Sequence, residues 1–223
     1  MKKHLPQPLK KLVNSSVSIL GIAIREKYGV KMYHRVENLR RVLSKLKHKS
    51  SSTNAVYEVL RELYKSLDQL SPKEQFEIAH SYACMLELIN ACESTYRSHR
   101  LSKNAHKKFT SMPEEIIFVV TSHPTEARSP DILALFKLIR SVLKQALETS
   151  ASIEESHRAV LLHFLKMLLD VPMARASKPR VEDEAAHIFD FVLTDNSLKT
   201  FLWAKQNNIS LALRTWVGGD KDG

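Results

Sequence analysis

Hydrophobic residues along most of the chain recur at the three-to-four-residue spacing of an amphipathic helix. Such series occupy residues 12–24, 36–46, 56–67, 132–146 and 160–169. A polar connector over residues 48–54 separates the second series from the third. The pattern therefore predicts a predominantly helical chain.

Two short segments carry the signals of helix starts. Ser71-Pro72-Lys73-Glu74 combines a capping serine, a proline at the first helical position and a glutamate at the third. The helix that it opens is predicted to end at about Arg100. Ser129-Pro130-Asp131 opens a second helix, and a last helix is predicted from Glu182 to about Trp203.

Two segments do not fit a helix. Residues 116–120 form a continuous apolar run between Pro113 and Pro124, which predicts a strand buried on both faces. Residues 209–217 alternate with a period of two and end at a pair of glycines. We therefore expect short parallel strands over about 115–121 and 209–217.

Each predicted strand runs into a polar segment, at the end where parallel α/β folds place their chemistry. The first segment, 121–128, presents His123, whose backbone is restricted by Pro124. Such a histidine suits proton transfer or charge stabilisation, although a lone histidine beside an apolar strand is often structural. The second segment, 216–223, is either a ligand-approaching charged turn or a simple Gly-Gly turn.

A third polar feature precedes the last predicted helix. Arg175, Lys178 and Arg180 come before the acidic run of residues 182–184. Acidic residues in a first turn complement the helix dipole, so capping and surface charge account for the pattern. Contact with an anion is the alternative interpretation.

The charge, the cysteine count and the lack of long apolar runs limit the partners and the cellular compartment that this protein can have. The 223 residues are 43% hydrophobic, and 34 basic against 24 acidic residues give a charge of +10, which favours anionic partners. Cys84 and Cys92 are the only cysteines, which excludes a disulfide framework and favours a reduced compartment. Because neither a signal peptide nor a spanning apolar run is evident, we expect a soluble, cytoplasmic protein without a membrane partner.

Taken in order along the chain, these motifs resemble phosphoenolpyruvate carboxylase. The strand and its Thr-Ser-His-Pro-Thr sequence, over 115–126, are similar to that family's Thr-Ala-His-Pro-Thr motif, and 216–223 resembles its Trp-Met-Gly-Gly-Asp-Arg-Asp-Gly motif. Residues 175–185 resemble its Arg-x-x-Arg/Lys-Pro-x-x-x-Asp-Glu-Ala pattern. Weaker similarity covers residues 20–40 and 77–90.

The resemblance implies that bicarbonate and phosphoenolpyruvate are joined into oxaloacetate and phosphate through carboxyphosphate and an enolate. It implies a carbon–carbon lyase of carbon dioxide fixation and tricarboxylic acid cycle anaplerosis, with Mg or Mn whose ligands are not in this chain. The resemblance also implies that His123, at the histidine of the family's Thr-Ala-His-Pro-Thr motif, is the catalytic histidine. The remaining implied site residues are Arg128, Arg175, Lys178 and Lys221 for anion binding, with motif support from Thr121, Pro124, Thr125, Gly218, Gly219, Asp220 and Asp222.

The resemblance also implies the architecture. Residues 1–112 form an N-terminal helical region, and 113–223 hold the first two strands of a TIM-type α/β barrel with their intervening helices. The family's enzymes are several times longer, so the barrel is incomplete and truncated at its C-terminus. We therefore expect an N-terminal fragment or subunit that is inactive without a missing C-terminal portion or partner chain, and homo-oligomers are compatible with this expectation.

Two departures from the family pattern keep other functions open. The family has an Arg-Arg pair where this chain has Ser129-Pro130, with Arg128 one place earlier, and Lys221 replaces an arginine. These differences favour a non-catalytic pseudoenzyme or scaffolding module as the alternative. A basic nucleic-acid-binding helical protein is the third interpretation, which rests on charge alone because no binding motif is evident.

Overall fold

The computed structural model describes residues 5–48, 53–103, 113–120, 128–149, 153–175, 177–178 and 180–215. In chain order these form α1 (Gln7–His48), α2 (Thr53–Asp68), α3 (Pro72–Lys103), β1 (Glu115–Val120), α4 (Pro130–Thr149), α5 (Glu155–Leu168), α6 (Val181–Val192), α7 (Asp195–Gln206) and β2 (Ser210–Thr215). The prediction of a mostly helical chain with two short parallel strands is confirmed. Within these ranges, no helix has both the length and the hydropathy that crossing a bilayer requires.

The chain divides into two compact units. The first unit comprises residues 1–102 and 134–173, and the second comprises residues 103–133 and 174–223. Each unit groups residues that lie closer to one another than to the rest of the chain. The boundary that the sequence predicts between residues 112 and 113 stays a prediction.

The first unit is built around the long helix α1, which is interrupted at Gly29. This glycine adopts a φ of 88°, in the region that disfavours side chains, and its backbone is not helical. The break falls between the two hydrophobic series predicted over 12–24 and 36–46. Fully buried leucine and isoleucine side chains from α1, α3, α4 and α5 form the core of this unit: Leu12, Ile19, Leu20, Leu88, Ile139, Leu143, Leu161, Leu165 and Leu168.

The start of α3 confirms its predicted capping sequence. The backbone N–H of Ser71 donates to the Glu74 carboxylate at 3.0 Å, and the Glu74 N–H donates to Ser71 Oγ at 3.3 Å. Arg35 of α1 also pairs with this carboxylate. Hydrogen bonds from Arg35 and Ser71 lower the pKa of Glu74 to about 2. The reciprocal bonds satisfy N–H groups that a helix start otherwise leaves unpaired.

Three side chains hold the C-terminal end of α5 against α1 and α3. Tyr28 Oη donates to the Leu169 carbonyl at 3.1 Å, and His80 Nε2 lies 3.3 Å from the Leu168 carbonyl. Lys27 forms an ion pair with Asp170. The contacts of Tyr28 and His80 satisfy carbonyl groups that have no partner within the helix. The last turn of α5 is therefore fixed by side chains that are distant in sequence.

The second unit contains the parallel pair β1 and β2. Glu115 pairs with Ser210, and the register continues without interruption to Val120 and Thr215. The prediction that β1 is buried on both faces is wrong, because Phe118 and Val119 are 43% and 55% exposed. The described residues of this unit do not cover that part of the sheet, so a fully apolar strand keeps much of its surface in contact with solvent.

The predicted single helix over 182–203 is also wrong, because two helices occupy this region. α6 ends at Val192 and α7 begins at Asp195. The break occurs at Thr194, whose extended backbone places its hydroxyl where it accepts a hydrogen bond from the Ser197 N–H at 3.3 Å. A threonine at this position caps the second helix, which an uninterrupted helix would not allow.

Acidification is expected to destabilise the first unit through His80. Burial lowers the pKa of His80 below its ordinary value of 6.5, so the folded state disfavours the protonated ring. The unfolded state therefore binds the proton first, and the free energy of unfolding decreases as the pH falls below this ordinary value. Chemical denaturation of the wild type and of His80→Gln between about pH 7 and pH 5 measures this.

The glutamine keeps a donor for the Leu168 carbonyl and removes the titration, so the variant should show the shallower pH dependence. His34→Gln, at an exposed position of α1, is the control and should retain the wild-type slope. Equal slopes for the wild type and His80→Gln would contradict the prediction.

Candidate functional site

The candidate site begins where β1 and β2 end. Val120 and Thr215 are paired across the parallel sheet, so the carboxyl ends of both strands lie side by side at the same edge of the sheet. The two polar segments predicted from the sequence follow directly. Their residues lie outside the described part of the chain and their placement stays a prediction: Thr121, His123, Pro124, Thr125, Gly218, Gly219, Asp220, Lys221 and Asp222.

Arg175, in the connection between α5 and α6, is the predicted site residue whose side chain has the most defined partners in the described part of the chain. Its Nε donates to the backbone carbonyl of Arg128 at 3.1 Å, and its Nη1 donates to Asp183 Oδ2 at 3.1 Å. The Arg175 side chain is only 11% exposed, whereas that of its partner Asp183 is 32% exposed, so the guanidinium itself is largely shielded from water. Arg175 therefore ties residue 128, which follows the segment 121–127, to the first turn of α6.

Asp183 is held by two donors at the start of α6. Besides the Arg175 guanidinium, the backbone N–H of Arg180 donates to Asp183 Oδ2 at 2.9 Å. The bond from the Arg180 backbone, together with that from Arg175, lowers the pKa of Asp183. The ionised carboxylate also complements the positive end of the helix dipole. This arrangement matches the capping interpretation of the acidic run.

The basic residues predicted to bind an anion differ in their surroundings. Lys178 is exposed, Arg128 is half-buried, and Arg175 uses two of its nitrogens within the protein. The anion contact of these three side chains stays a prediction. The sequence could not predict the bond from Arg175 to the Arg128 carbonyl, which lies 47 positions away. Every residue has a backbone carbonyl, so residue type does not show which one an arginine will bond.

Ser129 and Pro130, which stand where the resembled family has an arginine pair, form the start of α4. Ser129 Oγ accepts a hydrogen bond from the Ile132 N–H at 3.3 Å, and Pro130 is the first helical residue. A serine cap followed by a proline is a favourable helix start. The departure from the family pattern therefore has a local structural role in this chain.

An apolar cavity of about 210 Å³ adjoins the sheet in the second unit. Phe118, Val120, Phe191, Phe201 and Leu213 line most of it. Such a lining suits apolar side chains rather than a charged substrate. Within the described ranges, no group of three or more histidine, cysteine or acidic side chains converges as a metal site requires.

Comparison with known proteins identifies what the chain is similar to. A family profile described as phosphoenolpyruvate carboxylase matches residues 9–114. The phosphoenolpyruvate carboxylase of Rhodothermus marinus is 24% identical over 98% of this chain. The corresponding proteins of Pseudomonas fluorescens and Aliivibrio salmonicida are 23% and 27% identical over 92% and 96% of the chain.

The chain spans about 28% of the length of the curated relatives that it matches. The matches to whole relatives extend past the end of the profile at residue 114 and so include most of the second unit. The resemblance drawn from the motifs, to the N-terminal portion of this family, is confirmed.

Removal of the Arg175 side-chain bonds is expected to loosen both segments that this residue connects. In Arg175→Met, the backbone amides at the starts of α4 and α6 should exchange with solvent on the order of tenfold faster, because a charge-assisted tether is lost. Hydrogen exchange measured by NMR or mass spectrometry tests this. Lys178→Met, three positions away and exposed, should leave both segments unchanged.

Arg175→Met should also change how strongly the stability of the folded chain depends on low pH. The pKa of Asp183 is lowered from its ordinary value of 3.8, so its contribution to stability is present above that pH and lost as the pH falls through the lowered pKa. Arg175→Met removes part of this pKa shift. Its free energy of unfolding should therefore fall less than that of the wild type when the pH is lowered. An unchanged acid profile together with unchanged exchange would refute the structural role of Arg175.

Proposed function

We propose, from the similarity of this chain to the N-terminal portion of phosphoenolpyruvate carboxylases, that it supplies one part of a carboxylase active site. The complete site would join bicarbonate to phosphoenolpyruvate and yield oxaloacetate and phosphate. The relatives are named for this activity, and the chain matches them over nearly its whole length. Because it spans about 28% of theirs, we infer that the chain does not catalyse the reaction alone.

The observation that carries this proposal is the uninterrupted parallel register of β1 and β2. The pairing of Val120 with Thr215 means that the segments with His123 and Asp220 both begin at one edge of one sheet. Catalytic groups of parallel α/β enzymes are held at this edge by short loops. We propose that the histidine and the Gly-Gly-Asp segment form adjoining walls of the substrate site.

In the proposed reaction, His123 handles the proton of carboxyphosphate and helps to position it. Carboxyphosphate forms when bicarbonate attacks the phosphorus of phosphoenolpyruvate, which leaves the enolate of pyruvate; carbon–carbon bond formation then releases phosphate. Arg128, Lys178 and Lys221 supply positive charge near these anions. The family's divalent metal would stabilise the enolate, but the described residues provide no metal site, so no step is assigned to it.

Exposed apolar side chains on both faces of the sheet support a requirement for more polypeptide. Because side chains alternate along a strand, Ile117 and Val119 share one face, and Phe118 shares the other with its partner Leu213. Each strand of a two-stranded sheet also has one unpaired edge. Parallel strands are normally covered on both faces. We propose that a C-terminal portion or partner chain adds strands and helices here and completes a TIM-type barrel.

A non-catalytic scaffolding module is the second candidate function. The observation that favours it is the use of Ser129 and Pro130 as a helix start where the family has two arginines. Loss of that positive charge would weaken binding of an anionic substrate. Under this alternative, the completed assembly forms but does not consume bicarbonate.

The catalytic proposal is tested by adding a candidate C-terminal chain from the same source and measuring oxaloacetate formation. The mixture should form oxaloacetate only with both phosphoenolpyruvate and bicarbonate, and His123→Asn should reduce the rate by about 10² to 10⁴-fold. His163→Asn, at an exposed position of α5, is the matched control and should retain the rate. A stable assembly without activity would instead support the scaffolding function.

Completion of the barrel is tested by placing a charge on the exposed strand. Val119→Lys should weaken binding of the C-terminal chain at least about tenfold, because a lysine would be buried in the proposed interface. Val30→Lys is the matched control, since Val30 in the first unit is 56% exposed and Val119 is 55% exposed. Equal affinities of the two variants, measured by calorimetry, would exclude the sheet face that carries Ile117 and Val119 as the interface.

A further inference from the structure

The first unit contains a groove that the proposed carboxylase function does not use. It lies between the two halves of α1 and the middle of α3, and its volume is about 710 Å³. Helices in this arrangement often enclose small-molecule sites. We refer to it as the α1 groove, which is lined by Val13, Asn14, Val17, Ser18, Gly21, Tyr33, Glu37, Arg40, Leu43, Ser44, Tyr82, Met85, Leu86 and Ile89.

The polar part of the α1 groove is centred on one ion pair. Arg40 Nε lies 3.1 Å from Glu37 Oε1, and Arg40 Nη2 lies 2.9 Å from Glu37 Oε2. The pKa of Arg40 is raised chiefly by its hydrogen bond with Glu37, with smaller contributions from the nearby Tyr33 and Tyr82. Tyr33 and Tyr82 line the same groove, so it also presents two phenols that can donate or accept hydrogen bonds.

The remaining wall of the α1 groove is apolar and includes Val17, Leu43, Leu86 and Ile89. Leu86 is a large hydrophobic residue that is 48% exposed, although Met85 and Leu88 on the same helix are buried. A ligand with an apolar group would remove this surface from water. The groove thus presents an apolar wall together with a compact charged and phenolic cluster.

The charge balance of the cluster selects the ligand class. Among the described lining residues, Glu37 and Arg40 are the only charged side chains, so an isolated anion or cation would be repelled by one as it is attracted by the other. A molecule that carries both charges close together is attracted by both. Arg40 also keeps its Nη1 without a hydrogen bond among the described residues.

We propose that the α1 groove binds an α-amino acid with an apolar side chain. The ligand's carboxylate bonds Arg40, and its ammonium group bonds the Glu37 carboxylate and a neighbouring phenol. Its apolar side chain lies along Leu43, Leu86 and Ile89. This binding depends only on the first unit and is independent of the carboxylase proposal.

The test uses the full chain and three probes that differ only in charged groups. L-phenylalanine has both charges, 3-phenylpropionate lacks the ammonium group, and phenethylamine lacks the carboxylate. Calorimetry or NMR titration should show L-phenylalanine binding at least about tenfold more tightly than either of the other two, because only it satisfies both partners. Absence of L-phenylalanine binding, or equal binding of all three probes, would overturn the proposal.

Two variants then assign the contacts. Glu37→Gln should weaken L-phenylalanine binding at least about tenfold and strengthen binding of 3-phenylpropionate, since a repulsive charge is removed. Arg40→Gln should weaken L-phenylalanine binding and strengthen binding of phenethylamine. Arg41→Gln, an adjacent exposed position outside the groove, is the control and should change none of the three affinities.

Circular dichroism establishes that each variant remains helical. If either variant unfolds, the comparison of the three probes on the unmodified chain decides alone. A preference of the wild type for L-phenylalanine over the other two probes supports the proposal. If the same preference persists unchanged in folded Glu37→Gln and Arg40→Gln proteins, the ligand binds elsewhere and the proposal is overturned.

Discussion

The parallel pairing of β1 with β2 is the constraint on which the candidate site depends. Parallel strands exchange evenly spaced backbone hydrogen bonds and require a long crossover between them. Here the described part of the crossover contains four helices, α4 to α7. The two strands are paired in register from Glu115 and Ser210 to Val120 and Thr215. Because the two strands run in the same direction, the polar segments that follow them leave the sheet at one edge.

The same pairing leaves surface that two strands cannot bury. β1 is apolar at every position from Ile116 to Val120, as in a strand with a layer on each face, yet its central side chains remain exposed. An apolar surface of this kind is normally an interface. The relatives that the chain matches are more than three times longer than the chain.

Arg175 connects the starts of two helices, α4 and α6. Its guanidinium joins the Arg128 carbonyl to the Asp183 carboxylate, and Asp183 in turn accepts the Arg180 N–H. The residues that precede α4 and α6 are thus held together by one side chain. Arg175 therefore organises the backbone at both of these helix starts.

The sequence by itself determined most of the helices, both strands and the helix starts at Ser71 and Ser129, because these follow from spacing and capping between residues close in the chain. It also determined the family resemblance. The break at Thr194 is a local cap too, and the prediction of one helix over 182–203 missed it. Only the tertiary structure decided the exposure of β1, the tether from Arg175 and the α1 groove. Burial and long-range hydrogen bonds depend on which surfaces meet when the chain folds, and residue type at one position does not specify its distant neighbours.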